Sequence, residues 1–99
     1  MPAHPPYTID ITQNGGHGTI VYREGAYAAT LYWEFGASKV VAFIDLAKDA
    51  PKYPGDRSVL LARVADHVIT TRAPRCHAVI DESAGGIRIL EPDAEPTQR

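Results

Sequence analysis

The chain has 99 residues, of which 44% are hydrophobic and 22% charged, and its formal net charge is −2. That length suits one domain with one hydrophobic core, and the composition excludes a chain that is disordered throughout. Its cations are scattered among acids, which argues against nucleic-acid binding, and no apolar stretch reaches the roughly 18–20 residues of a membrane span.

The two ends of the chain and its cysteine content predict a cytoplasmic single domain. Residues 1–6 and 91–99 are rich in proline and polar side chains, so we expect a disordered arm and tail around a domain at 7–90. Residues 1–6 lack the basic and apolar regions of a signal peptide. Cys76 is the only cysteine, whereas small secreted domains usually carry several.

Two strands are predicted near the start of the domain. Residues 7–12 alternate between apolar and polar side chains, which is typical of a half-buried strand. Residues 14–18 contain three glycines, and we expect them to break that strand in a turn. A second strand follows at 19–23, and Glu24-Gly25 then forms a short hairpin turn.

The third and fourth strands contain the clearest apolar pattern. Residues 27–35 alternate over a long strand, and one face carries a set of apolar side chains: Tyr27, Ala29, Leu31, Trp33 and Phe35. Residues 39–45 form the fourth strand, whose nearly continuous apolar run predicts cover on both faces, by a helix on one side and by a partner on the other.

One amphipathic helix is predicted at 57–72, after a loop at 48–55 with two prolines and a glycine. Its apolar side chains recur at the spacing of one helix face: Leu61, Val64, Ala65 and Val68. Asp56 or Ser58 can cap its first turn, and Pro74 ends it.

The last two strands are predicted at 76–81 and 87–90, joined by a turn at 82–86. The order of elements is therefore ββββαββ, which predicts an α+β fold with an antiparallel sheet and one amphipathic helix packed on one face. Hairpin-length turns make the first four strands a meander, while the last hairpin either extends that sheet or packs beside it.

Aromatic side chains are the first functional lead. One helix covers only part of a six-stranded sheet, so aromatic surface remains on the strands: Tyr22, Tyr27, Tyr32 and Trp33. Since such patches are enriched at protein interfaces, we expect these residues to form an interaction surface and the protein to be a homodimer.

A polar pocket between helix and sheet is the second lead, with Glu34, His67 and Cys76 as its candidate residues. Cysteine and histidine suit zinc, but their spacing here matches no zinc finger, and His77 points away from its neighbour Cys76 on a strand. We expect no metal, no cofactor and an inert Cys76 that behaves as a small apolar residue.

Two functions remain open from the sequence. The first is a non-enzymatic protein-interaction or accessory module that self-associates through an aromatic sheet face and can take another protein as a further partner. The second is a small-molecule-binding protein or minor enzyme, with a pocket between helix and sheet. Neither nucleic acid nor a membrane is an expected partner, because the chain lacks a basic stripe and an amphipathic membrane helix.

Overall fold

A computed structural model describes residues 6–93, which form six strands and one helix. In chain order the elements are β1 (Thr8–Asn14), β2 (His17–Glu24), β3 (Tyr27–Phe35), β4 (Val40–Leu46), α1 (Arg57–Arg72), β5 (His77–Asp81) and β6 (Gly86–Leu90). The predicted α+β class and the order ββββαββ are confirmed.

The strands form one antiparallel sheet in the order β1-β2-β3-β4-β6-β5. The first four are the predicted meander. The last hairpin extends the sheet: β6 pairs with β4, and β5 becomes the edge strand. The connection through α1 therefore brings the chain back to the edge of the sheet as β5, and β6 then fills the position between β5 and β4.

The turn of the first hairpin is shorter than the sequence predicts. Asn14 pairs with His17, so only Gly15 and Gly16 form the turn, and Gly15 has a φ of 68°. The predicted break over 14–18 is wrong, because His17 and Gly18 belong to β2. Gly18 is needed for close packing: a Cβ there would lie 2.7 Å from Trp33 Nε1 and closer still to the Thr12 carbonyl.

The core lies between α1 and one face of the sheet. The helix packs over β5 and β6 and buries the predicted stripe together with Leu60. Asp56 is the cap, since its Oδ1 accepts a hydrogen bond from the Ser58 backbone N–H at 3.0 Å. Apolar side chains from the central strands complete the core, among them Ile20, Leu31, Ile44, Ile87 and Ile89.

The other face of the sheet carries no helix in the described part of the chain. Its side chains are largely polar, as is usual for a solvated antiparallel face: Thr8, Asp10, Thr12, Thr19, Arg23, Glu34 and Asp45. Among the described residues, therefore, only one face of β4 is covered. The apolar run of β4 has a local cause, because the register shifts between Val40 and Ala42 and inserts Val41, which packs partly against the core.

The predicted arm at 1–6 and tail at 91–99 lie mostly outside the described residues. Residues 91–93 are described and lie against the start of β4: the Glu91 backbone N–H donates to the Lys39 carbonyl at 3.0 Å, and Lys39 Nζ lies 2.6 Å from Asp93 Oδ2. Within 6–93, α1 is neither long nor apolar enough to cross a membrane.

Candidate functional site

The position of α1 leaves the helix-side face of β1–β3 to be covered in another way. At one end of these strands, four tyrosine rings pack together: Tyr7, Tyr22, Tyr27 and Tyr53. Tyr7 stacks on Tyr22 with ring centroids 5.6 Å apart, while Tyr53 meets Tyr27 edge-on at 5.1 Å. The loop that carries Tyr53 is thereby docked onto the sheet. We call these four residues, with Glu24 and Arg63, the tyrosine cluster.

One carboxylate oxygen is the centre of this cluster. Glu24 Oε1 accepts hydrogen bonds from the Tyr22 hydroxyl at 2.6 Å and the Tyr53 hydroxyl at 2.7 Å. Arg63, from α1, donates to the Tyr22 hydroxyl at 2.7 Å and to the same Glu24 oxygen at 3.1 Å. The guanidinium also lies 4.6 Å above the Tyr7 ring, in cation–π geometry.

The environment of the tyrosine cluster fixes its protonation states. Hydrogen bonds from Tyr22 and Tyr53 lower the pKa of Glu24, and the hydrogen bond to Tyr22 raises the pKa of Arg63. Burial, and then the hydrogen bond to Glu24, raises the pKa of Tyr22. Near neutral pH the carboxylate and guanidinium therefore stay charged and Tyr22 stays neutral. The hydrogen bonds on Glu24 hold β2, the loop with Tyr53 and α1 together, and a cluster of this kind is poorly suited to proton transfer.

The opposite end of the same face contains an apolar cavity of about 190 Å³, under the C-terminal half of α1. Its lining comes from β1–β4, β6 and the end of the helix: Ile11, Gln13, Ile20, Trp33, Phe35, Val41, Ala42, Ile44, Val68, Arg72, Ala73 and Ile89. All are apolar except Gln13 and Arg72. The cavity exists because the tyrosine cluster covers one end of the face and α1 is centred over β5 and β6.

Trp33 forms the part of the wall nearest β1 and β2. Its Nε1–H donates to the Thr12 carbonyl at 2.9 Å, so the polar atom of the indole is satisfied and its ring is available to an apolar molecule. Phe35 meets Trp33 edge-on, with centroids 5.1 Å apart, and is itself 55% exposed. The cavity therefore has an aromatic wall that continues to the surface.

The four aromatic residues predicted as an interaction surface occupy different environments. Tyr22 is fully buried in the tyrosine cluster, and Trp33 is 9% exposed in the cavity wall. Tyr27 is half-buried, and its hydroxyl donates to the Pro51 carbonyl at 2.9 Å. Tyr32 points to the opposite face, where it is 55% exposed. The structure brings Tyr22 and Tyr27 together in the tyrosine cluster, with ring centroids 6.3 Å apart, but places Trp33 and Tyr32 elsewhere.

Of the three residues predicted for a polar pocket, Glu34 is separated from His67. Glu34 is exposed on the face opposite to α1, whereas His67 lies on α1, so the sheet stands between them. Cys76 is half-buried against the core, just before β5. None of the three lines the apolar cavity. Within residues 6–93, no three His, Cys, Asp or Glu side chains come together as a metal site requires.

The cluster residues that the sequence analysis missed are Tyr7, Glu24, Tyr53 and Arg63. Arg63 flanks the apolar stripe of α1, three residues after Leu60, and that position is the only sequence signal that it can reach the sheet. Glu24 and Tyr53 are 29 residues apart and lie at the end of β2 and in a loop, and no periodic pattern indicates a contact between them.

Comparisons with protein families, with curated proteins and with solved structures each find no match for this chain. The geometry of the cavity and of the surfaces around it is therefore the basis for a functional proposal.

Proposed function

We propose that this is a non-enzymatic binding protein that holds a small, mostly apolar molecule in the cavity under the C-terminal half of α1. The observation that carries the proposal is the lining itself: within the described part of the chain, ten apolar residues surround a concave space, and Gln13 and Arg72 are the only polar ones. Ligand sites commonly combine an apolar wall with a few polar groups in this way.

The size of the cavity limits the ligand to about one ring. An apolar cavity of about 150 Å³ accepts benzene, and this one measures about 190 Å³. A single aromatic or alicyclic ring with one or two small substituents fits. Burying about 150 Å² of apolar surface, at roughly 25 cal/mol per Å², gives about 4 kcal/mol and a Kd of about 1 mM for the bare ring.

The lining favours binding over catalysis. The Arg72 guanidinium only donates hydrogen bonds, and the Gln13 side chain is a neutral amide, so neither supplies a general base or a nucleophile. The Trp33 indole N–H is already bonded to Thr12. We propose a cytoplasmic setting, since the lone Cys76 is typical of a reducing compartment.

Titration with toluene tests the proposal, because toluene is close to the expected size. Trp33 is the only tryptophan, so its fluorescence reports the cavity directly, and amide chemical shifts locate the site. We expect saturable changes at Trp33 and at the amides of Ile20 and Ile89, with a Kd of about 1 mM.

Ala42→Leu is the decisive variant, because the larger side chain enters the cavity from β4 and should abolish toluene binding. Phe43→Leu is the matched control: it changes the neighbouring residue, which faces away from the cavity, and should bind toluene normally. If the chemical shifts of the natural protein stay unchanged up to the solubility limit of toluene, the proposal is wrong.

Self-association is the second candidate function, and two exposed aromatic side chains on the open sheet face support it. Tyr32 is 55% exposed and Phe43 37%. Tyr32 pairs with Asp45 while Phe43 pairs with Glu34, so the two rings are diagonal neighbours on adjacent strands. They form a compact patch through which two copies, or this chain and another protein, can associate.

Sedimentation velocity over a range of concentrations tests this candidate. A homodimer that uses the patch should dissociate in a Tyr32→Ser/Phe43→Ser double variant. Val59→Ser is the control, because Val59 is 41% exposed on α1, away from the patch. A chain that sediments as a monomer at every concentration would contradict the proposed homodimer.

A further inference from the structure

A second cleft lies at the N-terminal end of α1, next to the tyrosine cluster. It has a volume of about 460 Å³ and is formed by the loop after β4, the first turn of α1 and the turn between β5 and β6. Its lining residues are Tyr27, Leu46, Ala47, Lys48, Ala50, Pro51, Lys52, Tyr53, Gly55, Arg57, Leu60, Ala84 and Gly85. This cleft is more than twice the volume of the apolar cavity and differs from it in charge.

Among residues 6–93, all the charged side chains that line this cleft are cations: Lys48, Lys52 and Arg57. The chain as a whole carries a net charge of −2, whereas the charge of this lining is positive. Three cations around a concave surface raise the local concentration of anions, and the effect is stronger in a cleft than on a flat surface. The lining is therefore complementary to an anion with more than one negative charge.

The remaining lining residues are mostly apolar. Tyr27 and Tyr53 meet edge-on with centroids 5.1 Å apart, and Leu60 lies beside them, fully buried. The Tyr27 hydroxyl donates to the Pro51 carbonyl, which ties the loop to β3 and holds Lys48 and Lys52 near the cleft. The aromatic or aliphatic part of an anion bound here can pack against these side chains.

We propose that this cleft binds the phosphate monoester of a small aromatic alcohol. A phosphate monoester carries about −1.5 to −2 charges near pH 7, which matches a cationic rim. Arginine can hold a phosphate through two parallel N–H groups, and lysines act as point charges. The ring of the ligand packs on the tyrosines, since aromatic pairs favour edge and offset contacts.

The site is distinct from the helix end beside it. Asp56 already caps the first turn by accepting from the Ser58 N–H and hydroxyl at 3.0 and 2.9 Å, and it does not line the cleft. Arg57 donates through Nη1 to the Glu82 carbonyl at 3.3 Å, which holds its side chain against the turn between β5 and β6 that forms one side of the cleft. The lysines and this guanidinium are thus the groups that meet the phosphate.

Titration of the full chain with phenyl phosphate, inorganic phosphate and phenol tests the proposal by amide chemical shifts. We expect phenyl phosphate to bind about fivefold or more tightly than either fragment, with shifts at Tyr27, Tyr53 and Arg57, and to weaken as salt rises from about 20 to 200 mM. Equal binding of phenyl and inorganic phosphate would show that the tyrosines take no part, and would overturn the proposal.

A Lys48→Gln/Lys52→Gln variant removes two charges from the exposed loop and should weaken phenyl phosphate binding about fivefold or more. Arg23→Gln/Arg75→Gln removes two exposed charges that line neither the cleft nor the apolar cavity and should leave that binding unchanged. Equal losses in both variants would indicate a general charge effect and overturn the proposal. If phenyl phosphate shifts the amides of Ile20 and Ile89, and Ala42→Leu abolishes those shifts, the ligand binds in the apolar cavity instead. That result would also overturn the proposal.

Discussion

Glu24 connects three parts of the chain that are far apart in sequence. It lies at the end of β2, and its Oε1 contacts Tyr53 from the loop and Arg63 from α1. Because both tyrosine hydroxyls donate to it, the carboxylate is the acceptor on which the tyrosine cluster depends. The cluster aligns the loop with the sheet, and the same loop forms one wall of the cationic cleft.

Removing the Tyr22 hydroxyl should destabilise the protein. Tyr22→Phe keeps the buried ring but deletes one donor to Glu24 and one acceptor for Arg63. We expect a loss of about 1–2 kcal/mol, toward the lower end because Glu24 and Arg63 keep some solvent contact. Urea denaturation followed by circular dichroism measures this change.

Tyr32→Phe is the matched control for that measurement. Tyr32 is also on a central strand, but it is exposed, and its hydroxyl has no hydrogen-bond partner within residues 6–93. Its free energy of unfolding should stay within about 0.5 kcal/mol of the natural protein. A Tyr22→Phe variant as stable as Tyr32→Phe would show that the hydrogen bonds of the cluster contribute nothing.

The charge of Glu24 should make stability depend on pH. Its pKa in the fold lies below the ordinary 4.5, since Tyr22 and Tyr53 donate to the carboxylate. The unfolded chain therefore binds the proton more readily, so this stabilisation is present above about pH 4.5 and is lost as pH falls. The natural protein should be more stable than Glu24→Gln at pH 7, and this difference should shrink toward pH 3.

Val59→Ser provides the comparison for the pH series, because it changes no ionisable group and Val59 is 41% exposed on α1. The difference in stability between the natural protein and Val59→Ser should change little between pH 7 and pH 3. A Glu24→Gln series parallel to this control would refute the role given to the Glu24 carboxylate.

At the scale of elements, the β1–β2 hairpin depends on one glycine that is not in its turn. In Gly18→Ala the new Cβ would collide with the Thr12 carbonyl and with Trp33 Nε1. We expect a loss of about 1–3 kcal/mol and an altered Trp33 fluorescence spectrum, because the indole must move. In Gly16→Ala the nearest atom is Phe35 Cδ2 at 3.6 Å, an ordinary contact, so that variant should be tolerated.

The start of α1 should depend on the oxygen of Asp56. Asp56→Ala removes the acceptor for the Ser58 N–H and should lower the urea midpoint, whereas Asp56→Asn keeps an oxygen there and should retain most of the stability. Equal midpoints for both variants would mean that the first turn is held by packing alone. Amide exchange at Ser58 and Val59 would locate the change.

At the scale of the whole molecule, the periodic elements could be predicted from the sequence. The alternation of β3 and the helical spacing of Leu61, Val64 and Val68 each place one face in the core, and the structure agrees. Departures from simple pairing could not be predicted this way. The sequence suggests that Gly18 is a turn residue and that Val41 is part of a regular strand. In the structure, Gly18 is needed for close packing against Trp33, and Val41 is inserted by a register shift.

The candidate site was harder to predict than the fold, because its contacts join distant residues. Arg63 and Tyr22 are 41 positions apart, and no local pattern relates them. Trp33 and Tyr32 are neighbours in sequence but face opposite sides of the sheet, so aromatic content alone does not define a surface. The cavity depends on where α1 crosses the strands, and hydrophobic periodicity does not determine that position.

The whole described domain should unfold as one cooperative unit, since a single core cluster joins the tyrosine cluster to the cavity through Ile20, Leu31 and Ile44. Trp33 lies at the cavity end and Tyr22 at the other. Tyr22→Phe should therefore shift the Trp33 fluorescence transition and the circular dichroism transition to the same lower urea concentration. If the dichroism of the variant shifts while Trp33 fluorescence keeps its original midpoint, the two ends of the sheet unfold independently, and the single core is refuted.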